Sequence, residues 1–337
     1  MKLSICKFIL YSILIFIFVN FASAQAEREK GIELSAQGNY KDAINLLKQA
    51  TKKDSNDAEA WYYLGSLYFK TGKVKEAEKA FGTVIKLRPN DSQGYIGMAY
   101  LQVSANKIYN AQTLARKALE LNSQNPEAHY ILGIISFRND SYSGAYEYAD
   151  KVIKINPNFA NAYLLKSEAL TFSFGKIRGT VTNSPTKRVD LLKESIINME
   201  KYLSLSTDDE DKRTKLEKLE SLKFFADYHA KPENQIPNNL DTVTAVTANS
   251  TPVKIKSKPR AEYTTSARQA GVSGTIQLLV GFSEGGKAKY VLVLNGLGFG
   301  LDEQAIKAVK GIEFEPATKD GKPISVVKIV VYTFTLY

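Results

Sequence analysis

Residues 60–89 read AWYYLGSLYFKTGKVKEAEKAFGTVIKLRP, and this stretch decides the architecture. Trp61, Leu64, Gly65 and Tyr68 recur at helical spacing, Gly72 interrupts them, and Ala77, Phe81 and Val84 resume the period before Pro89 stops it. A helix, a tight turn and a second helix of similar length account for the pattern. The same features return every 34 residues on either side. Small residues fall at Gly31, Gly65, Ala99, Gly133 and Ser167; a second column holds Ala43, Ala77, Ala111 and Ala145, and a third Ala50, Val84, Ala118 and Val152. Large rings occupy Trp61, Tyr95, His129 and Tyr163, and turn formers occupy Gly38, Gly72, Asn106 and Asp140. Two helices approach closely only where one presents Gly or Ala, and a bulky neighbour fills the space beside the contact. Residues that tolerate positive φ then join the pair.

These columns resemble the tetratricopeptide repeat, whose order and spacing the second unit follows at Trp61, Leu64, Gly65, Tyr68, Gly72, Ala77, Phe81 and Pro89. Four units run from about residue 24 to 159, and a fifth begins at Ala160 with Tyr163 and Ser167. A segment from Gly175 to Pro185 then delays its second helix to about 187–205, either as a functional loop or as a tolerated insertion on an exposed rim. A closing helix follows. Thr207 and Glu210 have capping-box spacing, Asp208 to Asp211 place negative charge at its start, and Leu216, Leu219, Leu222 and Phe225 make one apolar stripe, with Phe224 at its margin and a charged opposite face. Such a helix covers the core face that the last repeat otherwise exposes.

The resemblance implies that the first helix of each unit lines a groove, to which Tyr62, Ser66, Phe69, Ile96, Tyr100, Val103, Tyr130, Ile134, Phe137 and Arg138 correspond. Most are apolar or aromatic, which fits a docked peptide or helix. Packing between neighbouring helices, or cover by the chain's own linker, fits equally well.

The N-terminus has a different character. Lys2 and Lys7 precede an apolar run from Phe8 to Val19, broken by Ser12 and ending at Ala22-Ser23-Ala24. That order is expected of a secretory signal, residues 1–24, cleaved before Gln25; the other reading is an uncleaved anchor. Cys6 is the single cysteine of the 337 residues, so the exported chain has no disulfide, thiolate nucleophile or cysteine metal site. The formal charge of +10 is spread along helices where Lys and Glu alternate, so nucleic-acid binding is not expected.

Residues 25–229 are thus read as a helical solenoid. From 230 to 258, Pro, Asn, Thr, Ser and Lys replace the apolar period, as in a flexible linker. Residues 259–337 change again. A short helix is expected within 261–270, and alternation from Gly274 to Phe282 describes a strand with one buried face. Glu284-Gly285-Gly286 turns into a second strand, 287–294. Leu301, Ala305, Ala308, Val309 and Ile312 have helical spacing, and a last strand runs from Val326 to Tyr337 with Val330, Tyr332, Phe334 and Leu336 on one face. The fold class is therefore a multidomain chain, an α-solenoid followed by a small α+β domain with an antiparallel sheet.

This last region resembles the TonB C-terminal domain. The matching residues are Ala267, Gly271 and Gly274; Phe282 with Gly286; Leu301-Asp302 with Ala305 and Ala308; Phe314-Glu315-Pro316-Ala317; Gly321-Lys322-Pro323; and Phe334. Thr264 stands after Tyr263 where that family usually has Pro. The resemblance implies pairing of the last strand, through Val326, Lys328, Val330, Tyr332 and Phe334, with a segment of an outer-membrane transporter. An unpaired strand edge has the physical means to do this; protection by dimerisation or an internal place in the sheet are the alternatives.

Catalytic signatures are missing from this picture. The Gly296-Leu297-Gly298-Phe299-Gly300 run has its third glycine one place early for a dinucleotide fingerprint, and reads as a turn. The two histidines, His129 and His229, supply no triad or metal set. No metal or cofactor is expected, and the chain is read as a non-enzymatic, periplasmic adaptor with protein partners, touching a membrane only if its N-terminal segment stays uncleaved. The alternative is an inner-membrane-anchored energy transducer.

Overall fold

The computed structural model describes residues 22–177, 185–207, 209–231 and 249–336. Most of the apolar leader, the middle of the 175–185 segment, Asp208 between Thr207 and Glu210, and most of the proposed linker lie outside the described residues. The chain divides into two compact units, Met1–Ile135 and Ser136–Tyr337.

Unit 1 is built of helix pairs: α1 over residues 22–36, α2 Tyr40–Lys53, α3 Ala58–Lys70, α4 Val74–Leu87, α5 Ser92–Ser104, α6 Ile108–Leu121, and the start of α7, Pro126–Arg138. The turn column is explained by its backbone, since Gly38, Gly72 and Asn106 all have positive φ. Carboxylate or amide side chains cap the first helix of successive repeats: Asp57 accepts from the Ala60 N–H at 3.0 Å, Asp91 from Gln93 at 3.0 Å and Asn125 from Ala128 at 2.9 Å. Glycine is needed where the helices cross. A Cβ on Gly65 would lie 2.9 Å from the Phe81 ring, and one on Gly97 2.3 Å from the same ring. The ring column has a polar duty besides filling space. Trp61 Nε1 donates to the Ser55 carbonyl at 3.0 Å and the Tyr95 hydroxyl to Pro89 at 3.1 Å, and His129 Nε2 lies 3.1 Å from the Ser123 carbonyl. Each ring ties down the loop between repeats six residues upstream.

Unit 2 starts with α8 Tyr142–Ile155, α9 Ala160–Ile177, α10 Pro185–Leu205 and α11 Asp209–Ala230. It continues through β1 Ser250–Thr251, β2 Lys254–Ser257, α12 Thr265–Gln269, β3 Gly274–Phe282, β4 Ala288–Asn295, α13 Leu301–Lys310, β5 Glu313–Glu315, β6 Ala317–Lys319, β7 Lys322–Ile324 and β8 Val326–Phe334. The main sheet is antiparallel in the order β4-β3-β8, with smaller sheets β1-β6-β7 and β2-β5 beside it. The residues expected to form α12, β3, β4 and α13 do so.

Several expectations need correction. The stretch read as linker contributes two strands: β2 pairs with β5, and β1 with β6. Their cross-strand partners lie some sixty residues away, so no local period announces them. The last strand ends at Phe334, and Leu336 is exposed.

The larger correction concerns the faces of the sheet, because β3 buries both. Ile276, Leu278, Val280 and Phe282 pack with α12 and α13 residues such as Ala267, Leu301 and Ala305. Leu279 on the opposite face, with Leu292, Leu294 and Val327, joins a second core made of Phe174, Leu192, Met199, Leu222 and Phe225 from α9, α10 and α11. The helices that close the solenoid are therefore also the cover of the sheet. α11 consequently has two apolar sides rather than one. Leu219, Leu222 and Phe225 are buried, Leu216 is 51% exposed, and Phe224, placed at the margin from sequence, stacks on Tyr290 of β4 with centroids 4.1 Å apart.

This packing is tight enough to dictate glycine at two positions. A Cβ on Gly175 of α9 would lie 2.7 Å from the Leu294 carbonyl oxygen, and one on Gly281 of β3 2.8 Å from the Phe224 ring. Since the first clash is with backbone, Gly175→Ala is expected to destabilise the chain by about 1–3 kcal/mol through overpacking. Gly285→Ala, which meets only Ser283 Oγ at 3.9 Å, should stay within about 0.5 kcal/mol. Urea denaturation of the full chain checks both; equal stability of the two variants would contradict the close approach.

Candidate protein-interaction surfaces

Two surfaces follow from the residues singled out in the sequence. The first runs along α3, α5 and α7 in unit 1, where α3 lies against α5. Ile96 and Val103 are 1% and 6% exposed, so they belong to the core and not to a groove wall. Tyr62, Phe69, Tyr100, Tyr130 and Ile134 stay partly exposed. Tyr62 sits edge-on to Tyr63 at 5.7 Å and beside Phe81 at 6.0 Å, while Ser66 turns its hydroxyl back to the Tyr62 carbonyl at 3.0 Å. Phe137, in unit 2, is engaged by the rings of Tyr142 and Phe172 at 5.3 and 5.1 Å, and Arg138 is exposed.

Sequence reasoning missed Glu127, in the first turn of α7. Burial pushes its carboxyl above the usual carboxylate range. Burial likewise raises the Tyr62 and Tyr100 hydroxyls, and on each of them the Glu127 charge is the largest electrostatic contribution, followed for Tyr100 by Tyr130 and Tyr62. Two tyrosines from successive repeats, Tyr62 and Tyr100, thus feel the charge of one carboxylate. The repeat resemblance singles out the tyrosines, but an acidic residue at a helix start looks like an ordinary dipole partner.

The second surface is the β8 edge. Strand β8 pairs in unbroken register with β3 from Gly274↔Phe334 to Phe282↔Val326 and with no other strand of its sheet. Val326, Val330, Tyr332 and Phe334 are all buried in the core shared with α12 and α13, with Lys328 partly buried. They anchor the strand; they are not its outward contacts. The outward backbone can be identified from Lys258, whose Nζ donates to the Val331 carbonyl at 2.8 Å and lies 4.6 Å over the Tyr332 ring. An acceptor reached from outside the sheet points away from β3. Strand alternation then turns the backbone groups of Val327, Ile329, Val331 and Thr333 outward, and those of the even-numbered residues toward β3. Sequence alone leaves this parity open, because either register gives the same apolar pattern.

Beside this edge lies a cavity of about 930 Å³, lined by residues including Lys258, Arg260, Arg268, Tyr263, Val331 and Tyr332. Among the described residues the buried Tyr332 hydroxyl has no hydrogen-bond partner, and burial raises its pKa. Thr264, at the position where the TonB family usually carries Pro, caps α12 by accepting from the Ala267 N–H at 3.2 Å and donates to the Phe299 carbonyl at 2.7 Å. The opposite edge of the sheet is treated differently: the Val291 N–H of β4 donates to Ser221 Oγ of α11 at 3.2 Å, and α9 and α11 both pack on β4. The glycine run is a turn, with Gly298, Phe299 and Gly300 at positive φ and the Asp302 carboxylate accepting from the Leu297 N–H at 2.8 Å. Among the described residues no group of three or more His, Cys, Asp or Glu is placed to hold a metal ion, and no helix is long and apolar enough to cross a membrane.

Comparison with known proteins agrees with this geometry. Tetratricopeptide repeat models match residues 34–99 and 96–158, and the model for the Gram-negative bacterial TonB protein C-terminal region matches residues 259–336. The chain therefore carries tetratricopeptide repeats followed by a TonB C-terminal domain, a combination that defines a protein-interaction scaffold. Over its repeats it is 24% identical, across 150 residues, to the formate-dependent nitrite reductase complex subunit NrfG of Escherichia coli O157:H7, covering 43% of this chain and 76% of that protein. It is 26% identical to the mouse anaphase-promoting complex subunit 7 over 146 residues, 43% of this chain but only 26% of the mouse protein. The chain thus spans about a quarter of that mouse relative. Among solved structures, a thermophilic tetratricopeptide-repeat protein of Thermus thermophilus aligns with a TM-score of 0.49 and 18% identity, over 60% of this chain and 100% of that one.

The parity of β8 has a direct test. Val330→Pro removes an N–H directed at β3 and is expected to cost roughly 1–3 kcal/mol by leaving a buried carbonyl without its partner. Val331→Pro removes an outward N–H, which edge strands tolerate. Chemical denaturation of the two full-length variants should place Val331→Pro nearer the parent; the reverse order would assign the edge to the even-numbered residues.

Proposed function

We propose that this protein is an exported adaptor of the cell envelope, in which the repeats hold one protein partner and β8 accepts an extended segment of an outer-membrane transporter as an added strand. The observation that carries this reading is the asymmetry between the two edges of the main sheet. The β4 edge is overlaid by helices and has a backbone N–H taken by Ser221, whereas on the outer edge of β8 the Val331 carbonyl is taken by the flexible side chain of Lys258. Main-chain hydrogen bonds supply affinity in strand addition, and a lysine that guards the edge in the absence of a partner also discourages self-association. The leader-like residues 1–24 support export, and nothing in the repeats or the TonB-like domain calls for catalysis.

A photo-crosslinking amino acid at Thr333 of the full-length protein, expressed in its own host, tests the docking. Adducts are expected on an extended segment of an outer-membrane protein and should disappear with Val331→Pro. Adducts only to other copies of this chain would replace the reading with edge-to-edge dimerisation. The intact mass of the native protein tests the location: a chain starting at Gln25 in the soluble periplasmic fraction fits the adaptor. A full-length chain in the inner membrane would instead favour an anchored energy transducer.

A further inference from the structure

Between α2 and α4, the second helices of the first two repeats, lies a cavity of about 390 Å³ that neither surface described above uses. Its size falls within the range of ligand pockets, roughly 300–1,000 Å³. Helix α3 supplies its floor through Leu64, which is 2% exposed, and through the half-buried rings of Trp61 and Tyr68. Both rings pack on the core of Ala43, Leu47 and Ala50. Trp61 Nε1 is already committed to the Ser55 carbonyl at 3.0 Å, so what the indole offers the cavity is apolar. These positions lie on a different side of α3 from Tyr62, Ser66 and Phe69. At about 100° per residue, the two sets are centred roughly 130° apart around the helix. The cavity is therefore separate from the groove along α3, α5 and α7.

The rim is charged, and unevenly so. Lys48 and Lys52 of α2 and Lys79 of α4 line it, with Glu76 as the one acid among the lining residues. Among the described residues these three exposed lysines enter no ion pair, whereas the adjacent Lys53 is held by Glu27 at 2.7 Å. Lys73 Nζ, 5.8 Å over the Tyr68 ring, adds a further positive charge. The repeat does not require this set. Thirty-four residues on, Lys48, Tyr68 and Lys79 give way to Gly82, Gln102 and Thr113, so rings and lysines form no track along which a polyanion could run. A floor of rings favours a flat apolar side chain, and unneutralised lysines at its mouth favour carboxylates on either side of it. We infer that this cavity receives an aromatic side chain flanked by acidic residues, presented by a short segment of a partner protein. The inference goes beyond the groove and the β8 edge and rests on neither.

Trp61 is the one tryptophan of the sequence, so its fluorescence reports on this cavity. Full-length protein titrated with acetyl-Glu-Phe-Glu-amide is expected to show a saturable change in that emission, weakened by added salt. Acetyl-Gln-Phe-Gln-amide and acetyl-Glu-Ala-Glu-amide should each bind about tenfold more weakly or worse. Lys52→Gln combined with Lys79→Gln should weaken the acidic peptide about tenfold, and should leave the melting temperature within a few degrees because both side chains are exposed. No saturable change, equal affinity for the charged and uncharged peptides, or a double variant that binds as the parent does overturns the inference. Phenylacetate binding as tightly as the peptide would assign the cavity to a small aromatic acid, and a thymidine tetranucleotide binding more tightly would assign it to nucleic acid; either result overturns the peptide occupant. All of these failures leave strand addition at β8 as it stands, since that is read by crosslinks from Thr333.

Discussion

The contact of α9 and α11 with the second face of the sheet is the constraint on which unit 2 depends. A three-stranded sheet with helices on one side leaves an apolar face to water, and strands β3, β4 and β8 place Leu279, Leu292, Leu294 and Val327 there. Burial of that face against Phe174, Leu222 and Phe225 removes the exposure and makes solenoid end and sheet a shared core. The approach is so close that two side chains are forbidden, at Gly175 against the Leu294 carbonyl and at Gly281 against Phe224. Polar contacts at the margin, such as Lys310 with Glu217 at 2.6 Å, are solvent-exposed and add little beyond orientation.

That packing also decides which edge of the sheet is available. With α9 and α11 on β4 and Ser221 satisfying the Val291 N–H, the β4 side is closed by the same helices that close the repeats. Among the described residues, the β8 side keeps an outward row of backbone groups with Lys258 across it. A TonB-like domain standing by itself would have no such asymmetry imposed on it. Here α9 and α11, within the same unit, cover the β4 side of the sheet and leave β8 as its other edge.

The sequence made the periodic features legible and hid the long-range ones. The 34-residue columns gave the helix pairs and their positive-φ turns because each repeat is specified by contacts within itself and with its neighbour. Strands β1 and β2 escaped notice because their partners are β6 and β5, and short exposed strands of Lys, Ser and Thr have no apolar alternation to detect. The doubly buried character of β3 was partly visible in retrospect. Leu279 interrupts an alternation that otherwise reads polar on that face, and Leu292 and Leu294 repeat the anomaly on β4. Phe224 sent the same signal from α11. Each looked like a defect in a one-sided pattern, and together they describe an interface between segments separated by a stretch without any period.

The two candidate surfaces ask different things of a partner, and this follows from their construction. At β8 the side chains that sequence singled out are consumed by the core, so what faces outward is backbone, and recognition there depends on an extended conformation more than on residue identity. In unit 1 the backbone is satisfied within helices, so only side chains remain to read a partner. Ile96 and Val103, which looked like groove walls, serve the helix contacts instead, and the partly exposed tyrosines are what is left for recognition. A ring that offers both an apolar face and a polar rim suits that position, because it can stay in contact with water when the groove is empty and lose little entropy when it is filled.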